Sequence, residues 1–355
     1  MRYSGLRLVA EALRGHRGWK PLWRDPEPQK DYDFVIIGGG HGMATAYYLA
    51  KTFGKARIAV LDKGWIGGGN IGRNTTIIRS NYLLPGNEPF YELSMKLWEG
   101  LEQEFNFNAM VSQRGIINLI HTDSQRDTYR RRGNAMLLAG ADARLLTADE
   151  VRERAPFLNF DNPRFPIKGG LMQERAGTAR HDAVVWGYAR GADMAGVDII
   201  QNCEVTGFEI ADGRVTGVET TRGRIGAKTV GVAVAGNSGR VMAMAGMRLP
   251  IESHVLQAFV SEGLKPTIPG VITFGAGHFY ISQSDKGGLV FGGDIDGYNS
   301  YAQRGNLPTV EDVAEGGMAL MPMIGRARML RSWGGVMDMS MDGSPIIDAT
   351  GIDGL

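Results

Sequence analysis

Asp33-Phe34-Val35-Ile36-Ile37-Gly38-Gly39-Gly40-His41-Gly42 decides the reading of this chain, and Arg57-Ile58-Ala59-Val60-Leu61-Asp62 completes the unit that it opens. The first run is apolar and β-branched, as a strand covered on both faces should be. Three glycines break it. From Gly42 the pattern turns helical, with Met43, Ala46, Tyr47 and Ala50 at spacings of three and four, and Gly54 is placed to end the helix. The second run is another buried strand. Strand, glycine turn, helix and strand make one βαβ unit. In such a unit the loop amides can approach a pyrophosphate, and an acid at the end of the second strand, here Asp62, suits a ribose hydroxyl. Counted as G-x-G-x-x-G from Gly38, Met43 stands where the third glycine belongs and Gly42 comes one residue early. A plain structural turn is the competing reading, but the strand-loop-helix context favours dinucleotide binding.

Working outward, Val197–Gln201 follows a helix starting near His181 and precedes a hairpin at Asp212-Gly213. Gly231–Gly236 is then a buried strand that runs into glycine. The nucleotide domain is therefore discontinuous. The expected fold class is α/β, a Rossmann-type domain joined to a mainly antiparallel α+β domain. The expected division is an N-terminal arm over 1–30, a nucleotide domain over 31–84, 171–250 and 331–355, and a substrate and interface domain over 85–170 and 251–330. Short alternating strands at Phe279–Ser282 and Leu289–Phe291 suit the second domain.

Length and composition narrow the class. A chain of 355 residues suits two domains. Lys and Arg total 39 against 38 Asp and Glu, so no field of one sign is available to hold a nucleic acid or a membrane surface. The single cysteine, Cys203, excludes an internal disulfide and a Cys-rich metal centre, and it fits a reducing cytoplasm. No apolar run approaches the ~20 residues of a membrane helix. His121, His254 and His278 have no metal-ligand spacing. In the basic N-terminal segment, Leu6, Val9 and Leu13 share a helical face. Glu11, Asp25 and Glu27 argue against a transit peptide, leaving an arm that docks on a partner subunit or a frayed terminus.

The segment after the second strand points to FAD rather than NAD. Gly67-Gly68-Gly69-Asn70 forms a second flexible approach, and Arg73-Asn74-Thr75-Thr76 adds donors before the apolar pair Ile77-Ile78. An extended cofactor needs such a second contact line. Arg79 follows that pair, which should pin its backbone. Its guanidinium can fork onto a substrate carboxylate or serve a structural salt bridge equally well. His181 begins a helix whose dipole disfavours imidazolium, although a solvated histidine at a helix start reads as easily. For His41, in the loop itself, the backbone is expected to matter more than the ring.

These motifs resemble one family. Gly38-Gly39-Gly40-His41-Gly42, Gly68-Gly69-Asn70, Arg73 to Tyr82 and Arg180-His181-Asp182 are similar to the beta subunit of heterotetrameric sarcosine oxidase, from the N-terminal arm to Leu355. Phe279-Tyr280-Ile281-Ser282 and Trp333-Gly334-Gly335 match amine-oxidising flavoproteins more broadly. The resemblance implies noncovalent FAD and oxidation of sarcosine to glycine and a one-carbon unit. Electrons would pass to an FMN at the interface with the alpha subunit and then to oxygen, giving hydrogen peroxide. It also implies smaller partner subunits, an FMN bonded to His181 with Arg180 beside it, and a carboxylate contact from Arg79. The FAD contacts implied are Gly38, Gly39, Gly40, His41, Gly42, Asp62, Gly68, Gly69, Asn70, Arg73, Asn74, Thr75, Ile77 and Val205. The chain departs from the family in two ways. The family has one more glycine before the histidine, so the shorter loop is expected to shift its first amides. The family also continues past Leu355 into a strand and a glycine-rich segment with a lysine near the substrate, so a truncated chain with exposed edges is expected. The rival readings are another secondary-amine or D-amino-acid oxidase of the same fold, and a noncatalytic interaction subunit with a decayed flavin site.

Overall fold

The computed structural model describes residues 4–17, 21–82, 84, 86–275 and 279–355. Its first sheet has six strands, in the order Asp198–Ile200, Ile58–Leu61, Asp31–Ile37, Gly223–Val232, Arg214–Thr220 and Val205–Ala211. The first four run parallel, with Val35 opposite both Ala59 and Val230. The last three form an antiparallel meander, whose turn at Asp212-Gly213 has positive φ at both residues, as that dipeptide predicts. Alternate residues of the parallel strands serve two cores. Val35, Ile37, Ala59 and Leu61 pack with the meander residues Val215, Val218 and Ile225. Ile36, Ile58 and Val60 pack under the helices His41–Phe53 and His181–Met194. Burial on both faces is why the strands read as unbroken apolar runs.

The second sheet has eight strands, in the order Met329–Ser340, Ile251–Gly263, Gly288–Ile295, Phe279–Gln283, Val271–Phe274, Ile116–Ile120, Gly169–Gln173 and Arg144–Thr147. All its pairings are antiparallel except Val271–Phe274 against Ile116–Ile120. Its main core joins Ile117, Leu119, Phe259, Phe274, Ile281 and Leu289 to Val313 and Leu320 of the helix Leu307–Leu320. Residues 169–173 and 329–340 pair within this sheet, so its strands run across the expected boundaries at 171 and 331. Trp333 and Gly334 lie opposite Ala258 and Gln257, and a Cβ at Gly334 would come 2.7 Å from Val255 Cγ1. Residues 352–355 do reach the first sheet, where Ile352 and Leu355 pack against its core and the Val230 amide donates to the Gly354 carbonyl.

The arm begins with the helix Gly5–Leu13, in which Leu6, Val9 and Leu13 are exposed and Glu11 is buried against Arg7 at 2.8 Å. Residues 24–32 then tie it to the first sheet. The buried Asp198 accepts from Tyr32 and Gln29 and lies 3.7 Å from Arg24.

Gly42 shows how closely the first layers pack, since a Cβ there would lie 2.8 Å from Ile36 Cγ2. Gly42→Val should therefore destabilise the protein by roughly 1–3 kcal/mol. Urea unfolding should show a lower midpoint with an unchanged slope, and an unchanged midpoint would show that Ile36 yields freely.

Candidate functional site

Parallel strands leave a crevice where the order of connection reverses, outside their C-terminal ends. In this sheet that point lies between Asp31–Ile37 and its two parallel neighbours, and a cleft of about 440 Å³ opens there against the larger sheet. The glycine loop forms its floor. Gly38 has φ +105° and a Cβ on it would stand 2.3 Å from the Ala233 carbonyl oxygen. Gly39 donates its amide to Asp62 Oδ2 at 2.8 Å, and a Cβ there would stand 2.7 Å from the same oxygen. Gly40 is different, because it faces open space with nothing closer than 3.9 Å to a Cβ. It caps the helix His41–Phe53 without any side-chain hydrogen bond, and its carbonyl takes the Met43 amide at 3.0 Å, which leaves the His41 and Gly42 amides of the first turn to a ligand. Gly42 supplies the close helix-to-strand contact usually assigned to the third glycine of a dinucleotide loop. The shorter loop thus keeps a tight turn, an open approach and a close packing contact within five residues.

Asp62 organises this floor. Its second oxygen accepts the Gly64 amide at 2.8 Å, so one carboxylate holds the glycine loop and its own strand end together. Beside it Cys203, Glu204 and Val205 line the cleft, while Thr75, Tyr280 and Gly335 line the side toward the larger sheet. Burial raises the Tyr280 phenol above its ordinary pKa.

The second glycine segment is a braced turn rather than a loose approach. Arg73 donates to the carbonyls of Gly68 and Gly69. Asn70 pairs with both backbone groups of Val336, accepting its amide at 3.0 Å and donating to its carbonyl. Trp333 donates its indole N–H to the Arg73 carbonyl at 2.7 Å. Asn74 accepts the Thr76 amide at 2.6 Å, and Thr76 itself has φ +51°. Gly69, Asn70, Arg73, Asn74 and Thr75 do line the cleft, but three of their side chains are spent on building the turn. Gly69 alone leaves room, with nothing within 4 Å of a Cβ. The sequence did not single out Asn237 or Arg240, which also line the cleft.

Gly42, Gly68, Ile77, Arg79, Arg180 and His181 lie outside the cleft lining. Ile77 pairs with Thr178 in a two-stranded ribbon. Arg79 follows that ribbon, with Nη1 donating to Asn81 Oδ1 at 2.7 Å and its guanidinium 4.6 Å from the Tyr82 ring. Among the described residues it forms no ion pair. Tyr82 stacks on Tyr91, whose phenol is pushed up to about 12 by burial and by Tyr82. The Ser80 amide donates to the buried Gln173, which fixes the chain just beyond Arg79.

His181 begins its helix half-buried, and burial holds its ring below the ordinary histidine pKa despite the opposing effect of Asp182. Arg180 forks onto Asp182 at 2.7 and 2.9 Å, so the neighbouring charges neutralise each other. His121 and His254 each turn Nδ1 to a backbone carbonyl. His278 lies outside the described residues. No group of three or more His, Cys, Asp or Glu that could hold a metal occurs among the described residues, and no described helix is long and apolar enough to cross a membrane.

A parallel sheet with a glycine floor, an acid at the end of its second strand and a second sheet closing the cleft suits a dinucleotide, and residues 33–355 make the chain a flavin-dependent oxidoreductase, since they match the family of FAD dependent oxidoreductases. The chain is 72% identical to sarcosine oxidase subunit beta of Rhizobium meliloti (strain 1021), over all of its own length and 86% of that protein. It is 49% identical to the protein of that name from Rhodobacter capsulatus, again over 100% of the chain and 86% of the relative. Among solved structures it superposes on L-proline dehydrogenase from P. horikoshii with a TM-score of 0.85 at 26% identity, covering 92% of this chain and 86% of that one. The chain belongs to the sarcosine oxidase beta subunits within the FAD-dependent oxidoreductases.

Because Asp62 accepts two loop amides, an amide side chain can replace only one of those bonds. Asp62→Asn should weaken FAD binding roughly tenfold. Fluorescence titration of the apoprotein measures this, and unchanged affinity would remove Asp62 from the cofactor site.

Proposed function

We propose that the chain oxidises sarcosine to glycine and a one-carbon unit in the cytoplasm, as the beta subunit of a complex with an alpha subunit and smaller subunits. The observation that carries the reading is the 72% identity to a sarcosine oxidase beta subunit along the whole chain, joined to a cleft with a glycine floor suited to a dinucleotide. When bound, FAD supplies the acceptor for a hydride leaving the N-methyl carbon, and FMN supplies the relay by which electrons reach oxygen as hydrogen peroxide.

The chain's own residues have separate tasks in this reading. Gly40 and the His41 and Gly42 amides that follow it receive the pyrophosphate, with Asp62 at the ribose. Gly69 gives the cofactor a close backbone approach on the opposite wall. Arg79 orients the substrate carboxylate. Its lack of an acidic partner among the described residues supports that role over a structural salt bridge, and the reacting carbon is then held by geometry rather than by a nucleophile. His181 would carry the FMN, since burial keeps its ring below the ordinary histidine pKa and so leaves an imidazole nitrogen unprotonated for a bond to the flavin.

Arg79→Lys keeps the charge but loses the fork, so KM for sarcosine should rise severalfold with a smaller change in kcat. Steady-state kinetics on the assembled complex test this, and unaltered constants would take Arg79 out of the site. For the FMN, the chain is coexpressed with an alpha subunit and denatured on a gel. Flavin fluorescence should stay with this polypeptide and vanish in His181→Ala while extractable FAD remains. Fluorescence that persists in the variant would place the linkage elsewhere. Protein that is folded but colourless would favour the noncatalytic subunit.

A further inference from the structure

Arg79 does not stand alone. The helix Asp123–Leu138 brings Arg132 to the same place, where its Nη2 donates to the Asn81 backbone carbonyl while Arg79 donates to the Asn81 side chain. One residue therefore bridges two guanidinium groups. Asn81 is fully buried, yet its Nδ2 has no hydrogen-bond partner, and neither has the buried Nε of Arg132. Both unmatched atoms are donors.

Two half-buried like charges beside two unmatched buried donors form an arrangement that folding alone disfavours. Leaving a buried donor unpaired costs about 1–3 kcal/mol. The aromatic faces nearby offset part of this, Tyr82 under Arg79 at 4.6 Å and Tyr129 at 5.9 Å from Arg132. Among the described residues no carboxylate is paired with either arginine. Two acids that the Ser80–Gln173 bonds bring near are engaged elsewhere: Glu92 is bound by Arg175 and Ser80, and Asp142 receives Gln173 and the Arg175 amide. Burial and the charge of Arg79 hold the Arg132 guanidinium below its ordinary pKa, as expected where no anion compensates it. Arg79 stands four residues past Thr75 of the cleft wall, at most about 14 Å along an extended chain.

We infer that Arg132 is the second guanidinium of the substrate-carboxylate site, with Asn81 Nδ2 as its neutral donor, so that the site selects small amines bearing a carboxylate over neutral amines. The inference rests on the proposed role of Arg79 and adds to it a residue from a different helix. A carboxylate between the two guanidiniums would satisfy Arg132 Nε and Asn81 Nδ2 together and would supply the anion that neither arginine finds among the described residues.

The probe is methoxyacetate, which keeps the shape and carboxylate of sarcosine but has no amine to oxidise, with neutral methoxyacetamide as the control. Binding to the FAD-loaded complex is read from the flavin absorption spectrum and, independently, from the rise in melting temperature. Arg132→Met should weaken methoxyacetate binding roughly ten- to a hundredfold and leave methoxyacetamide unaffected. It should raise KM for sarcosine more than it lowers kcat. Arg132→Lys should fall between wild type and Met, which keeps the test readable if the Met variant folds poorly. Asn81→Asp places a carboxylate between the two arginines, so it should raise the melting temperature without ligand and abolish stabilisation by methoxyacetate. Wild-type methoxyacetate affinity in Arg132→Met or Arg132→Lys, with binding lost in Arg79→Lys, would overturn the inference and leave Arg79 in place. Wild-type affinity in the Arg132 and Arg79 variants alike would overturn both assignments. Retained stabilisation by methoxyacetate in Asn81→Asp would also overturn the inference.

Discussion

The close approach of three backbone segments at the glycine floor is the constraint on which the rest of the molecule depends. Gly38 lies against the Ala233 carbonyl, Gly39 against the Asp62 carboxylate, and Gly42 against Ile36. Each contact lacks room for a methyl group, so the ends of three parallel strands and the start of one helix are brought to a single point. The opening at Gly40 exists because its neighbours on either side are so closely confined. Charge completes what shape begins. Asp62 gives its two oxygens to two amides, and the helix end above it has no side-chain cap, which leaves its positive end for a ligand.

The opposite wall is built by side chains acting as backbone. Asn70 meets both polar groups of Val336 as another strand would, and Trp333 reaches the carbonyl of Arg73. The larger sheet thereby holds the second glycine turn, and the turn holds the sheet. Polar residues that would be free donors on a mobile loop are structural here. The amides and open space of Gly69 are what remain for a bound molecule.

Local features of this fold were legible in the sequence, and non-local ones were not. The run Asp33–Ala50 and the strand ending at Asp62 could be read because strand burial, glycine conformation and helical spacing each leave a short-range mark. The hairpin at Asp212-Gly213 and the helix at His181 follow the same rule. The pairing of Met329–Ser340 with Ile251–Gly263 was not legible, because the two strands are far apart in the chain and periodicity says nothing of partner choice. Asn70, Arg73 and Asn74 read as cofactor donors because residue type shows that a group can donate but not to what. Arg132 sits in the run Arg130-Arg131-Arg132, where residue type does not show which arginine turns inward, and only the fold carries its guanidinium to Asn81.

The clasp between Asn70 and Val336 also bears on how the protein comes to hold its cofactor. A cleft closed on one wall by a turn that is stitched to a twelve-residue strand cannot open by swinging a free lid. The wall is therefore pre-formed, and a bound molecule meets a turn whose shape is already set by the larger sheet. Order in that wall costs nothing at the moment of binding, because the fold has met that cost in advance.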